Sequence, residues 1–575
     1  MVLTFTLMSV IASSCAPTSP PPAGHLVSDA FAASSMTWSP GSAGRVSPDG
    51  TAMSNQALEL WSNATVSYSL TTSSATTGIT VRARGDQCDV VPQMVVDVDG
   101  AQVMIGSVAS TAWMDYVADV PVAAGNHTVS ITFNNDDYNP PGCDSNLYLD
   151  TIAFGGVAPS DVTVTVDRAQ VVGTSHMSMG VTHEHFSLDS WGDAAAVAAG
   201  KRLLQTSTTY QNQHLFGWGT TNPEPSPGEY DWSSLDERVD LMRQTGGTPV
   251  LTLCCSPDWM WGGAAGATDW SQLGTPPTHE HYADFAALAA QVARRYPDVK
   301  YFQVWNEMKG FWNSDRQRWD YESYTSLYNA VYDAVLAVRP DAQIGGPYVV
   351  VNTFGRTATM SDPSHLAGDY GTVDQRGLDV IDYWLANKHG AGFVTVDGYT
   401  ANWDGVQIAS DFTATQKFAD IADWIGQRTS LPVWWAEWYT TDLLGPASND
   451  WDHDYQNAVM SAALIRMDQS SVAVALRWQP QGRVDQPYQG DQESLFSDTR
   501  EAGGGKPFPY YYTAKAFHDD FGPGTQLFRA TSSSLDVLVL ASGTHVVLVN
   551  QGPTAHTINM GGTVLTLAGY RVFIG

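Results

Sequence analysis

The sequence predicts a multidomain chain: a β-sandwich module, then a (β/α)8 TIM barrel with a small C-terminal β-domain. Three observations lead there. At 575 residues the chain exceeds what one hydrophobic core sustains, since domains run to about 100–250 residues. Residues 28–156 read as short runs of alternating polarity separated by turn residues, the pattern of half-buried strands. Residues 174–523 alternate strand-like runs with helical periodicity, and eight such repeats predict a closed parallel barrel.

The elements follow in chain order. Residues 1–27 form a lead in which Met1 to Ser14 is mostly apolar and ends in small residues, ahead of the Pro/Ser-rich stretch Ala16 to Gly24. This resembles an export signal without its basic start. Cys15, behind Ala12-Ser13-Ser14, resembles a lipoprotein acylation site, although Ala12 stands where Leu is usual. The expected location is therefore secreted or cell-surface attached, with a lipid anchor at Cys15 as one form of attachment. No later run is long and apolar enough to span a bilayer. Within 28–156 the strand candidates are Thr65 to Leu70, Gly78 to Ala83, Met94 to Val98 and His127 to Phe133. Residues 157–173 hold a linker and a strand, Val162 to Val172, expected to join the C-terminal β-domain of residues 524–575.

Eight barrel strands are predicted at Ser178 to Thr182, Thr208 to His214, Pro249 to Cys254, Tyr301 to Trp305, Gln343 to Pro347, Phe393 to Asp397, Val433 to Glu437 and Val472 to Trp478. Apolar residues at helical spacing predict helices over Asp236 to Thr245, His281 to Tyr296, Tyr324 to Val338 and Phe418 to Arg428.

Composition narrows the partner. A formal net charge of −31 and a pI near 4.5 exclude nucleic acid and anionic membranes, because like charges repel. Only 15% of residues are charged, and 20 Trp and 24 Tyr offer flat apolar faces with polar edges, which suits a polysaccharide or oligosaccharide. Five cysteines are few for this length; without Cys15, an even four remain.

Barrel chemistry gathers at the C-terminal ends of the strands. The fourth strand ends Val304-Trp305-Asn306-Glu307 and the seventh Trp434-Trp435-Ala436-Glu437-Trp438, which brings two carboxyl groups to one mouth from opposite walls. Cleaving a glycosidic bond with retention needs such a pair about 5–5.5 Å apart, one to protonate the leaving oxygen and one to attack the anomeric carbon. No cofactor is needed for that reaction.

The Asn-Glu pair on strand four and the Glu on strand seven resemble clan A glycosidases, and residues 162–575 most resemble glycoside hydrolase family 39, of β-xylosidase and α-L-iduronidase type. Pro257-Asp258-Trp259, Gly345-Gly346-Pro347 and the terminal β-domain carry the resemblance. It implies Glu307 as acid/base, Glu437 as nucleophile, Asn306 bound to the sugar 2-hydroxyl and Tyr399 hydrogen-bonded to the nucleophile. Two departures stand out: strand six reads Val396-Asp397-Gly398-Tyr399 without a His before the Tyr, and Met308 follows Glu307 where Pro is usual.

The N-terminal segment resembles the calcium-dependent xylan-binding modules of carbohydrate-binding families 36 and 60, through Arg82-Ala83-Arg84-Gly85, the Cys88-Asp89 loop, Phe133-Asn134-Asn135-Asp136 and Cys143-Asp144-Ser145-Asn146. That resemblance implies a Cys88–Cys143 disulfide and a calcium ion held by loop oxygens, with Asp136 and Asp144 as the carboxylate ligands. Calcium suits the task because it takes sugar hydroxyls as further ligands.

Other residues join the expected site. His183-Glu184-His185 at the end of strand one resembles the first metal element of amidohydrolase-type barrels, but strands five, six and eight lack its remaining ligands. Both imidazoles are therefore read as sugar-contacting or structural. Trp218, Trp259, Trp261, Trp312, Trp435 and Trp478 are expected around the mouth, with His214, Lys388 and Arg477 as further candidates. Cys254-Cys255 reads either as a vicinal disulfide forming a plate beneath a sugar or as two buried thiols. The expected substrate is plant-type and xylan-like; an arabinan, arabinogalactan or galactan fits the same residues, and a non-catalytic carbohydrate-binding protein or a metal-dependent amidohydrolase-type barrel are the remaining alternatives.

Overall fold

The computed structural model describes residues 14, 15, 17, 18, 29–32, 35–49, 52, 54, 56–72, 76–88, 90–111, 113–139, 143–155, 162–185, 187, 188, 192–355, 362–406, 408, 410–440, 453–482, 494–552, 555–561 and 563–575. Most of the expected export lead lies outside the described residues. The chain divides into two compact units. One comprises residues 1–170 with 528–541 and 545–575; the other comprises 171–527 with 542–544.

In the first unit, two largely antiparallel sheets form the sandwich. Ala101–Ser107, Gln93–Val98, Gly125–Phe133 and Ala64–Thr72 are neighbours in one, and Met114–Val122, Thr76–Asp86, Asn146–Gly155 and Gln56–Leu60 in the other. Alternation drives this assembly: Met94, Val96 and Val98, or Val129, Ile131 and Phe133, face one buried core while their neighbours face outward. Further strands make a sheet ordered Gln526–Ser532, Val162–Thr174, His556–Met560, Thr563–Leu567, and a second of Val537–Ala541, Val546–Asn550 and Val572–Ile574. As expected from sequence, the Val162 strand joins the C-terminal strands, parallel to His556–Met560.

The second unit is the barrel. Its strands are β1 Ser178–Thr182, β2 Tyr210–His214, β3 Thr248–Leu253, β4 Tyr301–Val304, β5 Gln343–Val350, β6 Phe393–Tyr399, β7 Val433–Tyr439 and β8 Val472–Trp478, parallel throughout and closed by β8 on β1. A helix follows each strand: α1 Ala194–Gln205, α2 Ser233–Gln244, α3 Tyr282–Arg295, α4 Tyr321–Val338, α5 Gln375–Asn387, α6 Gln416–Gly426, α7 His453–Asp468 and α8 Pro509–Asp519. No helix among the described residues is long and apolar enough to cross a membrane.

The barrel interior is layered. The floor is apolar, with Tyr210, Val250, Tyr301, Phe393, Trp434, Val474 and Leu476 packed together. Phe393 stacks on Trp434 at 4.1 Å between ring centroids, and Gly345 leaves it room, since a Cβ there would lie 2.2 Å from a Phe393 ring carbon. One rung higher the lining turns polar and hydrogen-bonds around the wall. Gln303 Nε2 donates to Thr252 Oγ1 (3.1 Å), Thr252 Oγ1 to Asn212 Oδ1 (2.9 Å), Asn212 Nδ2 to Thr182 Oγ1 (3.1 Å), and Thr182 Oγ1 to the Ala436 carbonyl (2.7 Å). All four side chains are buried, so each donor needs its partner.

Candidate active site

Above that polar rung, two β-bulges shape the mouth. Along β7, Trp434 points into the barrel floor, while Trp435 packs outward on Phe418 of α6 at 4.9 Å. Strict alternation would send Glu437 outward with Trp435. Against β6, however, Val396 pairs with Trp435 and Asp397 with Glu437, so Ala436 is an extra residue and Glu437 turns inward. The second bulge is on β5, where Pro347 pairs with Thr395 and Val349 with Val396, leaving Tyr348 extra at φ 51°. Its phenol donates to Glu437 Oε1 at 2.7 Å, and Tyr439 donates to Glu437 Oε2 at 2.9 Å. Tyr399 does not serve as expected; its hydroxyl donates to Asn352 at 3.3 Å.

Glu307 comes from the turn after β4, where φ is positive at Trp305 (69°), Glu307 (51°) and Met308 (54°). Non-glycine residues rarely adopt this region, and such conformations concentrate at functional sites. Trp305 anchors the turn: it is buried, packs against Phe285 and Phe311, and donates its Nε1 to the Lys309 carbonyl at 2.8 Å. The Lys309 ammonium forms an ion pair with Glu307 and lies 5.1 Å from the Trp218 ring centroid.

The two glutamates meet. One carboxylate oxygen each from Glu307, Glu437 and Asp397 falls within 4.8 Å of the other two, the one grouping of this kind among the described residues. Burial pushes the Glu437 carboxyl above the usual range, opposed by the Lys309 charge and both phenols. Asp397 rises well above it, through burial and then repulsion from Glu437. His214 Nε2 lies 3.9 Å from Glu437 Oε1, and burial holds its imidazole down at about 3, hence neutral. Trp218 and Trp478 face the His214 ring at 4.4 and 6.5 Å. Asn306 is buried beside this cluster, with its side-chain oxygen unpartnered.

The other expected residues separate from this group. His183 is fully buried and hydrogen-bonded to Gln211 at 3.1 Å, which also accepts from Thr245 at the end of α2; it packs sheet against helix and does not face sugar. His185 is 43% exposed and pairs with Glu184 at 3.1 Å, so the two imidazoles do not share a ligand position. Trp435 belongs to the wall, for the reason given. Arg477 projects from the outer face of β8 and donates to the Trp438 carbonyl at 2.6 Å, and Lys388 caps α5 through the Leu385 carbonyl at 2.9 Å. Trp259 donates to the Glu224 carbonyl at 2.9 Å; Trp261 ends the same short helical turn, Asp258–Trp261, half-buried. Trp312 is 39% exposed against Trp319 and Arg376. Cys254 and Cys255 are disulfide-bonded but fully buried, so they offer no open plate to a sugar.

Asp397, Tyr348, Tyr439 and Lys309 escaped the sequence reading. Alternation on β6 carried the signal for Asp397, since Phe393, Thr395 and Asp397 share one face.

In the sandwich, the Cys88–Cys143 disulfide is formed. It ties down a short hairpin in which Tyr138 pairs with Asp144 and Asn139 with Cys143. Asp136 Oδ1, Asp144 Oδ1 and Asn146 Oδ1 are buried around it without hydrogen-bond partners. Residues 78–176 match a family of calcium-dependent, xylan-binding carbohydrate-binding modules. The unpartnered oxygens fit such an ion, because a hard cation takes carboxylate and amide oxygens. Asp89 of the adjoining loop lies outside the described residues.

Solved structures share the fold at low identity. A conserved exported protein from Bacteroides fragilis matches at TM-score 0.52 and 11% identity, over 72% of this chain and 99% of its own. SrfJ from Salmonella typhimurium matches at 0.50 and 11%, over 84% and 98%. A monomeric β-xylosidase from Caulobacter crescentus matches at 0.48 and 16%, over 70% and 83%. No curated protein sequence matches the chain.

Proposed function

We propose that the chain is an exported, retaining glycoside hydrolase acting on a plant-type polysaccharide or its oligosaccharides, with xylan favoured. One observation carries the reading: Glu307 and Glu437 approach within 4.8 Å in one pocket. Carboxylate oxygens that close are nearer the spacing of about 5–5.5 Å used in double displacement than the about 6.5–9.5 Å between the carboxyls of inverting enzymes. Glu307 protonates the leaving oxygen and later deprotonates water. Glu437, oriented by two phenols, bonds to the anomeric carbon. In the sandwich, Asp136, Asp144 and Asn146 would hold calcium, which supplies coordination to sugar hydroxyls and tethers the enzyme to polymer, raising local substrate concentration.

The test is a screen of 4-nitrophenyl glycosides and polysaccharides, with proton NMR of the first-formed anomer. Retention supports the reading and inversion overturns it. Glu437→Ala should lower turnover at least ~10⁴-fold, and azide should restore it by taking the vacated side of the sugar.

A further inference from the structure

We propose that Asp397 is a specificity-determining residue whose side chain touches the reacting sugar: its unpartnered carboxyl oxygen hydrogen-bonds a hydroxyl of the sugar held between Glu307 and Glu437. This rests on the glycosidase reading above.

The geometry requires proximity. A sugar whose anomeric carbon faces Glu437 and whose leaving oxygen faces Glu307 occupies the space between those carboxylates, and an Asp397 oxygen lies within 4.8 Å of both. A pyranose or furanose ring is about as wide as that gap, so its hydroxyls reach hydrogen-bonding distance of β6. The fold also fixes the direction. Asp397 sits on the inner face of β6, and the bulges at Tyr348 and Ala436 lie on the strands on either side of it.

The side chain is unfinished by protein alone. Asp397 is 1% exposed, yet its Oδ2 has no hydrogen-bond partner. A buried carboxylate oxygen left so costs free energy, and where it persists at a site it marks a place for a ligand donor. The nearby cations are otherwise engaged: Lys309 with Glu307, and Lys417 with the Tyr399 carbonyl at 2.7 Å. Neutral sugars bring hydroxyl donors and no further negative charge into a pocket that already holds three acids.

The test couples residue to hydroxyl. The 4-nitrophenyl glycoside that the full-length enzyme turns over fastest is compared with its monodeoxy analogues, in the wild-type protein and in Asp397→Ala and Asp397→Asn. For one analogue, wild-type kcat/KM should fall about 100-fold, whereas Asp397→Ala, already slowed on the parent glycoside, should lose less than about threefold more. Asp397→Asn is nearly isosteric and replaces one carboxyl oxygen by an amide NH2, which cannot accept a hydrogen bond. It should cut the same hydroxyl's contribution at least about threefold, so the test survives if the alanine variant fails to fold. An equal loss in wild type and variants for every deoxy position would overturn the proposal and leave Asp397 as an electrostatic neighbour of Glu437. A wild-type enzyme that cleaves no glycoside would instead overturn the glycosidase reading.

Discussion

Glu437 is a carboxyl group under opposing influences: burial raises its pKa, while Lys309 and the hydroxyls of Tyr348 and Tyr439 favour the ionised form that the proposed displacement needs. Removing one donor must therefore raise the pKa further. Tyr348→Phe should shift the acid limb of the kcat/KM profile to higher pH and lower the plateau by about 10- to 100-fold, read from rates between pH 4 and 9. An unmoved acid limb would assign the phenol to packing alone. Both glutamates were legible in the sequence because strand-end motifs announced them. Tyr348 was not: it follows Gly345-Gly346-Pro347 as a bulged residue, and a bulge leaves no periodic trace. The resemblance to clan A glycosidases gave the expected role to Tyr399, at the end of strand six; the bulge on β5 brings Tyr348 there instead.

At the scale of elements, β7 shows how one extra residue decides which side chains reach the mouth. Trp435 was expected at the mouth and lies in the wall because Ala436 shifts the alternation between it and Glu437. The Thr182 hydroxyl, last in the polar chain from Gln303, holds the Ala436 carbonyl. Thr182→Val should lower kcat about tenfold or more with KM changed less than about twofold, while Thr182→Ser, which keeps the hydroxyl, should recover most of the loss. Equal rates in the valine and serine variants would remove the relay from the account. The eight strands were readable to within a few residues, since parallel barrel strands are short apolar runs between turns. Four helices were not. In α7 nearly every residue is buried, which erases the amphipathic stripe, and α1 is built largely of small residues.

At the scale of the whole molecule, the proposed binding and cleavage sites lie in different units. Stripping calcium with a chelator should abolish retention on insoluble xylan while leaving hydrolysis of a small aryl glycoside within about twofold, measured by pull-down and by nitrophenol release. Loss of both together would place the ion in the barrel. The strand ahead of the barrel, Val162–Thr174, lies beside His556–Met560 from the far end of the chain, with Val162 and Val164 buried in the core that those last strands complete. A boundary drawn after the last helix would strip two valines of their cover and expose the bare edge of a sheet, a seed for aggregation. Any truncation that keeps Val162–Thr174 should therefore keep residues 526–575 with it, as one inseparable fold.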